Sequence, residues 1–429
     1  MIKPAISLQE LQAKIGHRAK SAPQHRFWGL YVHIAKHETL RAAYEHAKRN
    51  RGAAGSDEES FESIEECGLE PWLTQLLQEL HEGTYRPRAY RRREIPKEGG
   101  KTRTISIPTI RDRVVQGALR LILEPIFEAD FSDSSMGGRP SRSAHQALQR
   151  VRQGLQQRQH YVADVDLSRF FDTIHHDRIL RRIAVRVQDD KVMALIKQYL
   201  KSSGKRGLPQ GSPLSPLLAN LALNDLDHLL DRGRGVISYV RYLDDMVVLA
   251  SDSVRGRAWV DRALECIRLE AEAIGVSLNA DKTRKVIMTH ARAMFAFLGF
   301  DFRWVRSPKT RGHYARMTPR RKKIIQIVRT VRQSLRRNRD KTARDAVAEV
   351  NPILRGWVNY FRVGQSTAAF GKVRYGVECT VRRWAAKQKR RQGLGWKRWS
   401  SDVVYGQWGL FNEYATAYRL AKARPTQKT

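Results

Sequence analysis

The feature that most constrains the fold of this chain is an aspartate pair set between two apolar runs. Residues 236–250 read VISYVRYLDDMVVLA, so Asp244 and Asp245 stand where the chain must reverse direction. This pattern predicts a tight β-hairpin. A turn with two aspartates is most often a solvated turn, yet a charge between core strands is costly unless it serves a purpose. The pair is therefore either an exposed turn or part of a site.

A second strand with aspartates is predicted upstream of the hairpin. In residues 161–167, YVADVDL, the alternation places Asp164 and Asp166 on one face. Together with the hairpin pair, Asp166 suits nucleotidyl transfer, in which two divalent ions about 3.5–4 Å apart align a hydroxyl with a phosphate. Mg²⁺ takes oxygen ligands and keeps substrate phosphates among them, so two or three protein carboxylates suffice. Asp164 is either a partner of Asp166 or an exposed charge.

The net charge of the chain indicates a polyanionic partner. The 429 residues include 79 Lys and Arg against 43 Asp and Glu, a formal charge of +36 that suits nucleic acid. An anionic membrane is the alternative, but no basic amphipathic helix stands apart from the rest. The three cysteines form no CxxC pair, and neither a signal peptide nor a membrane-spanning run is evident. We therefore expect a cytoplasmic protein, nucleoid-associated when on DNA, with no membrane partner.

Apolar spacing predicts helices and strands up to about residue 305 and a basic helical region beyond it. Residues 303–344 hold sixteen Lys or Arg and one acidic residue, and we place a domain boundary at 305–316. Helices are predicted at 40–50, 71–80, 113–127, from 144, at 217–230, 261–274, around 324–331, at 346–361 and 373–389. Strands are predicted at 161–167, in two basic segments joined by a Gly-Gly turn within 84–108, in the hairpin 236–250, and at 297–304.

Several motifs occur in a fixed order and together resemble one family. They are DLSRFFD, GLPQGSPLSPLLANLALNDLD, YLDD, NADKT and FLGF, and the chain resembles the group II intron-encoded reverse transcriptases, also called maturases. RTISIPTIRDRVVQGALRLILEPIFEADF looks like the fingers segment of that family, and NPILRGWVNYFR looks like the signature of its maturase, or thumb, domain. The resemblance runs from about residue 31 to residue 400.

This resemblance implies an α+β fold of the right-hand polymerase class. We expect a basic N-terminal extension (1–30), fingers and an antiparallel-sheet palm (31–305), an α-helical, maturase-like thumb (306–400) and a C-terminal tail (401–429). Asp166 and Asp244 would bind two Mg²⁺ ions, for which Mn²⁺ could substitute, with Asp245 supporting the metal site. The other implied roles are Phe171 as an aromatic gate against the ribose 2′-hydroxyl, Lys97 and Arg103 at the triphosphate, Gln210 in the nucleotide pocket, Lys282 as proton donor to pyrophosphate, and Leu298 and Gly299 in the primer grip.

Most of these residues also have a purely structural interpretation. Phe171 could be a core phenylalanine, and Lys97 and Arg103 could be basic surface residues. The aromatic residues of the C-terminal helices are more typical of a helical core than of base-stacking platforms; they are Trp357, Tyr360, Phe361 and Trp384.

The chain departs from the family pattern close to the aspartate pair. Leu243 stands where the family usually has Ala, next to the expected primer terminus. The loop 136–140 reads MGGRP where the family has Tyr-Gly-Phe-Arg-Pro, and Glu58 replaces an expected glycine. We also expect no endonuclease module after the thumb. These features resemble a domesticated, intron-free relative that serves its host in DNA break repair and likewise carries a bulky residue in place of the Ala.

The sequence thus predicts a reverse transcriptase that extends a primer 3′-hydroxyl on RNA or DNA. Its expected partners are the primer–template duplex, dNTPs and intron RNA. One rival is a maturase that binds intron RNA and promotes splicing and mobility. A second is a nucleic-acid-binding protein with a degenerate active site, against which the intact Asp166, Asp244 and Asp245 argue. Intron mobility and host repair are not separated by the sequence, which also leaves the oligomeric state open.

Overall fold

A computed structural model of the chain describes residues 6–96, 102–308 and 310–418. Lys97 and the predicted Gly-Gly turn lie outside these ranges. The helices are α1 Leu8–Ser21, α2 Tyr31–Ile34, α3 His37–Arg49, α4 Phe61–Cys67, α5 Leu69–Glu82, α6 Ile110–Glu128, α7 Ala144–Gln156, α8 Phe170–Thr173, α9 His176–Arg186, α10 Asp190–Ser203, α11 Ser215–Asp231, α12 Val254–Ala273, α13 Arg321–Arg337, α14 Ala343–Phe361 and α15 Thr367–Gln388, followed by a π-helical turn at Asp402–Gln407.

The strands in these ranges form a two-stranded, a three-stranded and a five-stranded sheet. They are β1 Arg91–Pro96, β2 Thr102–Ile107, β3 Tyr161–Ser168, β4 Ile237–Tyr242, β5 Asp245–Ala250, β6 Ser277–Leu278, β7 Arg284–Ile287, β8 Phe295–Phe297, β9 Phe300–Arg306 and β10 His313–Pro319. Mixed helices and antiparallel strands confirm the predicted α+β class. No helix within the described ranges is both long and apolar enough to cross a membrane.

The chain divides into two compact units, one comprising residues 1–144, 165–248 and 254–284, and the other 145–164, 249–253 and 285–429. In the first unit, the core is built around α6. Its apolar residues Val114, Val115, Leu119, Ile122 and Ile126 are fully buried, and α1 and α3 pack against it. Each helical turn of α6 thus presents apolar side chains to a neighbour, which is what makes this helix stable in the interior.

Helix α1 lies in the segment that the sequence suggested only as a basic extension. Ser7 accepts a hydrogen bond from the Glu10 amide while the Glu10 carboxylate accepts one from the Ser7 amide. This reciprocal pair is a capping box, which satisfies donors that a helix start leaves unpaired. Gln12 then donates to the Leu121 carbonyl of α6 at 2.8 Å. The capping signal was present in the sequence, and the packing on α6 was not.

A five-stranded sheet carries the aspartates singled out in the sequence. Its strand order is β4-β5-β3-β6, with β7 also pairing β3. Residues of β3 alternate between buried and partly exposed from Ala163 onward, as the sequence predicts. Strands β4 and β5 are neighbours joined by Leu243 and Asp244 alone, and so short a connection makes them an antiparallel hairpin. The predicted hairpin is confirmed.

In the second unit, residues 297–304 form a hairpin, so the prediction of one strand there was wrong. Strands β8 and β9 pair antiparallel, and β10 adds to the other edge of β9. Leu298 (φ 46°) and Gly299 (φ 82°) form the two-residue turn. Two successive left-handed residues match the twist of the flanking strands, which is why such turns favour glycine. Helices α13, α14 and α15 confirm the three helices predicted after this region.

Candidate active site

Asp166 is presented by β3 and held by a loop that follows β6. Its side chain is 28% exposed. Asn279 donates from its amide side chain to Asp166 Oδ2 at 3.0 Å and from its backbone N–H to the Asp166 carbonyl at 2.8 Å. Lys282 Nζ lies 2.9 Å from the same Oδ2. The NADKT segment therefore fixes both the strand position and the carboxylate orientation of Asp166.

Asp244 and Asp245 lie at the end of the hairpin beside this strand. Asp244 is the second residue of the turn and is partly exposed, and Asp245 begins β5 and is exposed. Because β5 pairs directly with β3, Asp166 and the aspartate pair belong to neighbouring strands of one sheet. The structure thus places Asp166 on one strand and the aspartate pair at the start of the strand beside it.

The donor set fits Mg²⁺ bound with substrate. Within the described ranges, no three His, Cys, Asp or Glu side chains gather closely enough to hold an ion among themselves. Mg²⁺ sites in enzymes that act on nucleotides commonly use one or two carboxylates, with phosphates and water completing the octahedron. The Lys282 ammonium against Asp166 also shows that this carboxylate is placed to receive a cation. Carboxylate oxygens on adjacent strands are therefore suitable ligands, with the remaining ligands left to the substrate.

A buried ion pair lies directly behind the hairpin turn. The side chains of Arg241, on β4, and Asp227, on α11, are both completely buried. Arg241 Nε donates to Asp227 Oδ1 at 2.7 Å, and the Tyr239 hydroxyl donates to the same oxygen at 3.0 Å. Burial, and then the Asp227 carboxylate, raises the pKa of the Tyr239 hydroxyl well above its usual value. A pair of this kind is stable only when hydrogen bonds satisfy its remaining polar atoms.

The same arginine reaches the backbone of the turn. Arg241 Nη1 donates to the Leu243 carbonyl at 3.1 Å and to Asn220 Oδ1 at 2.9 Å. Asn220 in turn donates from Nδ2 to the Gly137 carbonyl at 2.8 Å. Leu243 has φ 57°, a left-handed conformation that costs a non-glycine residue about 1–2 kcal/mol. The hydrogen bond from Arg241 to the Leu243 carbonyl therefore helps to hold a strained turn immediately before Asp244.

The loop 136–140 packs against this turn. A Cβ atom on Gly137 would lie 2.5 Å from the Leu243 nitrogen, so only glycine allows this approach. A Cβ atom on Gly138 would lie 3.3 Å from Leu243 Cδ2 and 2.9 Å from Pro216 Cβ. Gly138 and Leu243, which both depart from the family pattern, thus pack against each other: the absence of a side chain at 138 leaves room for the leucine at 243.

Arg103, predicted at the triphosphate, contacts Gln210, predicted in the nucleotide pocket. Arg103 Nε donates to Gln210 Oε1, and the Ser106 amide donates to the Gln210 carbonyl at 2.8 Å. This second bond ties the LPQG loop to strand β2. Arg103 is exposed on that strand, so its guanidinium is accessible to a phosphate.

Phe171 lies near the same loop and is partly exposed. It is the adjacent Phe170 that is buried, with 1% exposure, and the two rings meet edge to face at 5.3 Å between centroids. The Phe171 carbonyl accepts a hydrogen bond from the Leu208 amide at 2.6 Å. Phe170 is therefore the core phenylalanine of this pair, whereas Phe171 is partly exposed.

Leu298 and Gly299, the predicted primer-grip residues, belong to the second unit. The Tyr360 hydroxyl of α14 donates to the Leu298 carbonyl at 2.8 Å, and the Arg320 amide donates to the Gly299 carbonyl at 3.0 Å. A Cβ atom on Gly299 would lie 3.7 Å from Lys323 Cε. The turn is thus anchored where α13 begins, with a lysine stem alongside it.

Aromatic residues of α14 pack among themselves in this unit. Trp357 and Phe361 have ring centroids 4.6 Å apart, and Tyr360 and Phe361 meet at 4.9 Å. Phe361 is buried. These contacts match the core interpretation of these residues.

Sequence reasoning missed the residues that support the aspartates. Asn279 opens the NADKT motif, and Arg241 is a lone charge within an apolar strand, the same signal that drew attention to Asp244. Asp227 and Asn220 lie in the helix predicted at 217–230, where nothing in the spacing distinguishes a buried carboxylate from an exposed one. The supporting roles of Asp227 and Asn220 are evident only from their hydrogen bonds in the structure.

Comparison with known proteins identifies the family. The family described as "Reverse transcriptase (RNA-dependent DNA polymerase)" matches residues 95–302, and "Group II intron, maturase-specific domain" matches residues 324–402. The first match supports the predicted right-hand polymerase class.

The proteins similar to this chain include two curated relatives and one solved structure. Protein YkfC of Escherichia coli K12 is 30% identical over 77% of this chain and 94% of its own length. The group II intron-encoded protein LtrA of Lactococcus lactis is 27% identical over 71% of this chain, which spans 61% of LtrA. An apo telomerase structure from Candida tropicalis has a TM-score of 0.39 at 14% identity, covering 50% of this chain and 53% of that one, a similarity too low to support an argument. By its two family matches and its similarity to YkfC over nearly the whole of that protein, the chain belongs to the group II intron-encoded reverse transcriptase and maturase family.

Proposed function

We propose that this protein is a DNA polymerase that extends a primer 3′-hydroxyl on an RNA or DNA template. The observation that carries the proposal is the placement of Asp166 on β3 beside the β4–β5 hairpin that bears Asp244 and Asp245. Asp166 and Asp244 would hold two Mg²⁺ or Mn²⁺ ions, with Asp245 supporting them. Ions bound there supply Lewis acidity to the attacking hydroxyl and to the leaving pyrophosphate.

The chain's own residues select and orient the substrate in this proposal. Arg103 offers a forked donor to the triphosphate of a dNTP, and Gln210, which Arg103 contacts, lines the nucleotide pocket. The partly exposed Phe171 excludes a ribose 2′-hydroxyl. Lys282, already within 2.9 Å of Asp166, donates a proton to the departing pyrophosphate. In the second unit, the Leu298–Gly299 turn contacts the primer through its backbone.

Two cellular roles are compatible with this chemistry. Leu243 and the glycine loop beneath it favour repair of DNA breaks in the host, because an apolar side chain next to the primer end would steady weakly paired termini. A maturase role, with intron RNA as partner and splicing and mobility as outcomes, is the alternative. It is favoured by the maturase-specific match over residues 324–402. We propose the repair role because Leu243, in the hairpin turn, places an apolar side chain next to the expected primer end.

Primer extension by Asp166→Asn and Asp244→Asn variants tests the polymerase proposal. Each substitution keeps the shape of the side chain and removes an anionic ligand, so extension should fall at least about a thousandfold. Affinity for the primer–template should stay within about twofold, because the duplex is held mainly through phosphates. Asp261→Asn, on the exposed side of α12, is the matched control and should extend normally. Substantial extension by either active-site variant would contradict the assignment.

A further inference from the structure

The side chain of Gln116 is buried in helix α6 and is hydrogen-bonded at both ends of its amide. Gln116 has no exposed surface, and its Oε1 accepts a hydrogen bond from the Ser212 hydroxyl. Its Nε2 donates to the Tyr90 hydroxyl at 3.3 Å. Such partners offset the hydration that a buried amide loses. Gln116 thus joins the residue before β1 to a loop 96 residues further along the chain.

Ser212 ends the β-turn that carries Gln210. The Ser212 amide donates to the Pro209 carbonyl at 3.3 Å, so Gln210 and Gly211 are the two central residues of the turn. The buried Ser212 hydroxyl also accepts a hydrogen bond from the Leu214 amide, at 3.3 Å. A serine that bonds the backbone two residues ahead stabilises a tight local conformation. The bond to Gln116 therefore attaches helix α6 to a turn of defined shape.

Strand β2 makes the second attachment of this turn. The Ser106 amide donates to the Gln210 carbonyl at 2.8 Å, and a Cβ atom on Gly211 would lie 2.6 Å from the Ser106 carbonyl oxygen. Side-chain packing leaves a gap nearby, since Gly211 and Pro213 line a cavity of about 350 Å³. The position of the turn therefore depends on hydrogen bonds, to Ser106 on β2 and to Gln116 on α6.

We propose that Gln116 and Ser212 are positioning residues for the incoming nucleotide, because their hydrogen bond fixes the turn that presents Gln210 to the nucleotide pocket. Neither residue touches the nucleotide itself. The proposal rests on the proposed function, in which Gln210 lines that pocket and Arg103, which contacts Gln210, binds the triphosphate. A loosened turn would misplace Gln210 and weaken dNTP binding, while Asp166 on β3 would keep its position.

Single-nucleotide incorporation by the full-length protein on saturating primer–template tests this inference. Ser212→Ala removes the hydroxyl and leaves Gln116 Oε1 without its donor. The KM for dNTP should rise about five- to twentyfold. The kcat should change less than about twofold, because the lost contact serves the bound nucleotide equally before and during the reaction. Gln116→Met keeps the length of the side chain, removes the acceptor, and should give the same split between KM and kcat.

The effect of Ser212→Ala should disappear when Gln210 is truncated. Substitutions that act through one shared contact are not additive. Gln210→Ala/Ser212→Ala should therefore have the KM of Gln210→Ala alone, within about twofold. A Ser212→Ala effect that came from general loosening of the protein would instead add in full to that of Gln210→Ala.

Tyr90→Phe is the matched control. It removes the hydroxyl at the other end of the Gln116 amide and leaves the bond to Ser212 intact. Burial raises the pKa of the Tyr90 hydroxyl to about 12, so this substitution changes no charge at neutral pH. Denaturant unfolding should show a similar loss of stability in Tyr90→Phe and Ser212→Ala, because each leaves one buried polar group without its partner. Only Ser212→Ala should raise the KM for dNTP.

Three outcomes with an active wild-type protein would overturn the inference and leave the proposed function in place. The first is a wild-type KM in both Ser212→Ala and Gln116→Met. The second is an equal rise of KM in Tyr90→Phe, which would make the hydrogen bonds of Gln116 a general support of the core. The third is full additivity of Ser212→Ala with Gln210→Ala. A wild-type protein that incorporates no nucleotide would contradict the proposed function itself, and the inference would fall with it.

Discussion

At the scale of single residues, Asp166 is held in place by its neighbours. Asn279 and Lys282 both contact Oδ2 of its carboxylate, at 3.0 Å and 2.9 Å. An amide donor sets the orientation, and the ammonium compensates the negative charge. Because Lys282 is 55% exposed, it can leave the carboxylate at little cost when another cation binds. This mobility suits the role we propose for Lys282 at the pyrophosphate.

Phe171→Ala should increase ribonucleotide incorporation relative to deoxyribonucleotide incorporation. The ring of Phe171 is partly exposed next to the LPQG loop while Phe170 fills the core, so its removal opens space without emptying the interior. We expect the ratio of kcat/KM for dNTP over rNTP to fall by about ten- to a hundredfold. Single-nucleotide incorporation kinetics measure it directly.

Phe170→Ala is the matched control for this prediction. Deleting a fully buried phenylalanine should cost about 3–5 kcal/mol of unfolding free energy and lower both rates together. If Phe171→Ala likewise lowers stability and leaves the nucleotide ratio unchanged, the gate lies elsewhere.

At the scale of the element, the β4–β5 hairpin depends on the Arg241–Asp227 pair beneath it. Arg241→Met leaves the Asp227 carboxylate buried and unpaired, which should cost about 3–5 kcal/mol. Arg241→Met/Asp227→Leu removes both charges and should regain most of that free energy. Primer extension should not recover together with stability, because the double variant still lacks the hydrogen bond from Arg241 to the Leu243 carbonyl. Denaturant unfolding and primer extension of the two variants measure the two quantities. Extension that recovers in step with stability would show that the pair serves the core alone.

Leu243→Ala should reduce extension from primer ends that are held by only a few base pairs. The structure packs Leu243 Cδ2 over Gly138, so the side chain has a fixed position in the strained turn before Asp244. A stacked apolar contact with the terminal nucleotide is worth about 1–3 kcal/mol, which matters only where pairing is weak. Extension rates across a series of primer overlaps should therefore diverge from wild type as the overlap shortens. An equal effect at every overlap would make Leu243 a packing residue of the loop and remove the main support for host repair.

The elements that the sequence predicted well are those whose pattern is local. The alternation in β3, the apolar runs of β4 and β5 and the helical spacing of α13 to α15 all depend on neighbours along the chain. The turn at Leu298–Gly299 was missed because the residues on both sides of it are apolar, so the sequence reads as one continuous strand. Gly299 was the one residue in the run that indicated a turn. The Arg241–Asp227 pair was missed for a different reason. Its partners are fourteen residues apart on a helix and a strand, and no period in the sequence reports that they are buried together.

At the scale of the whole molecule, the net charge of +36 leaves many basic side chains in excess, but a number of them form ion pairs with nearby carboxylates. Many arginines of the first unit are paired, as Arg139 is with Glu128 and Arg186 with Asp130. The start of α13 collects four successive cations at 320–323, of which Arg320 contacts the carboxylate of Asp301 at 3.4 Å. Four adjacent cations concentrate positive potential where a nucleic acid is expected.

Neutralising Arg320, Arg321, Lys322 and Lys323 together should weaken duplex binding without regard to base sequence. Each cation that contacts a phosphate releases about one counterion, so the slope of log K against log salt reports how many contacts are lost. If all four cations contact phosphates, we expect the slope to flatten by about 3–4. Fluorescence anisotropy of a labelled primer–template across a salt series provides the measurement. Neutralising Arg178, Arg255, Arg257 and Arg262, all exposed on α9 and α12, makes the same change in net charge in the first unit and should leave the slope nearly intact. If both quadruple variants flatten the slope equally, the duplex senses only total charge. If neither does, the cations at the start of α13 face solvent when the duplex binds.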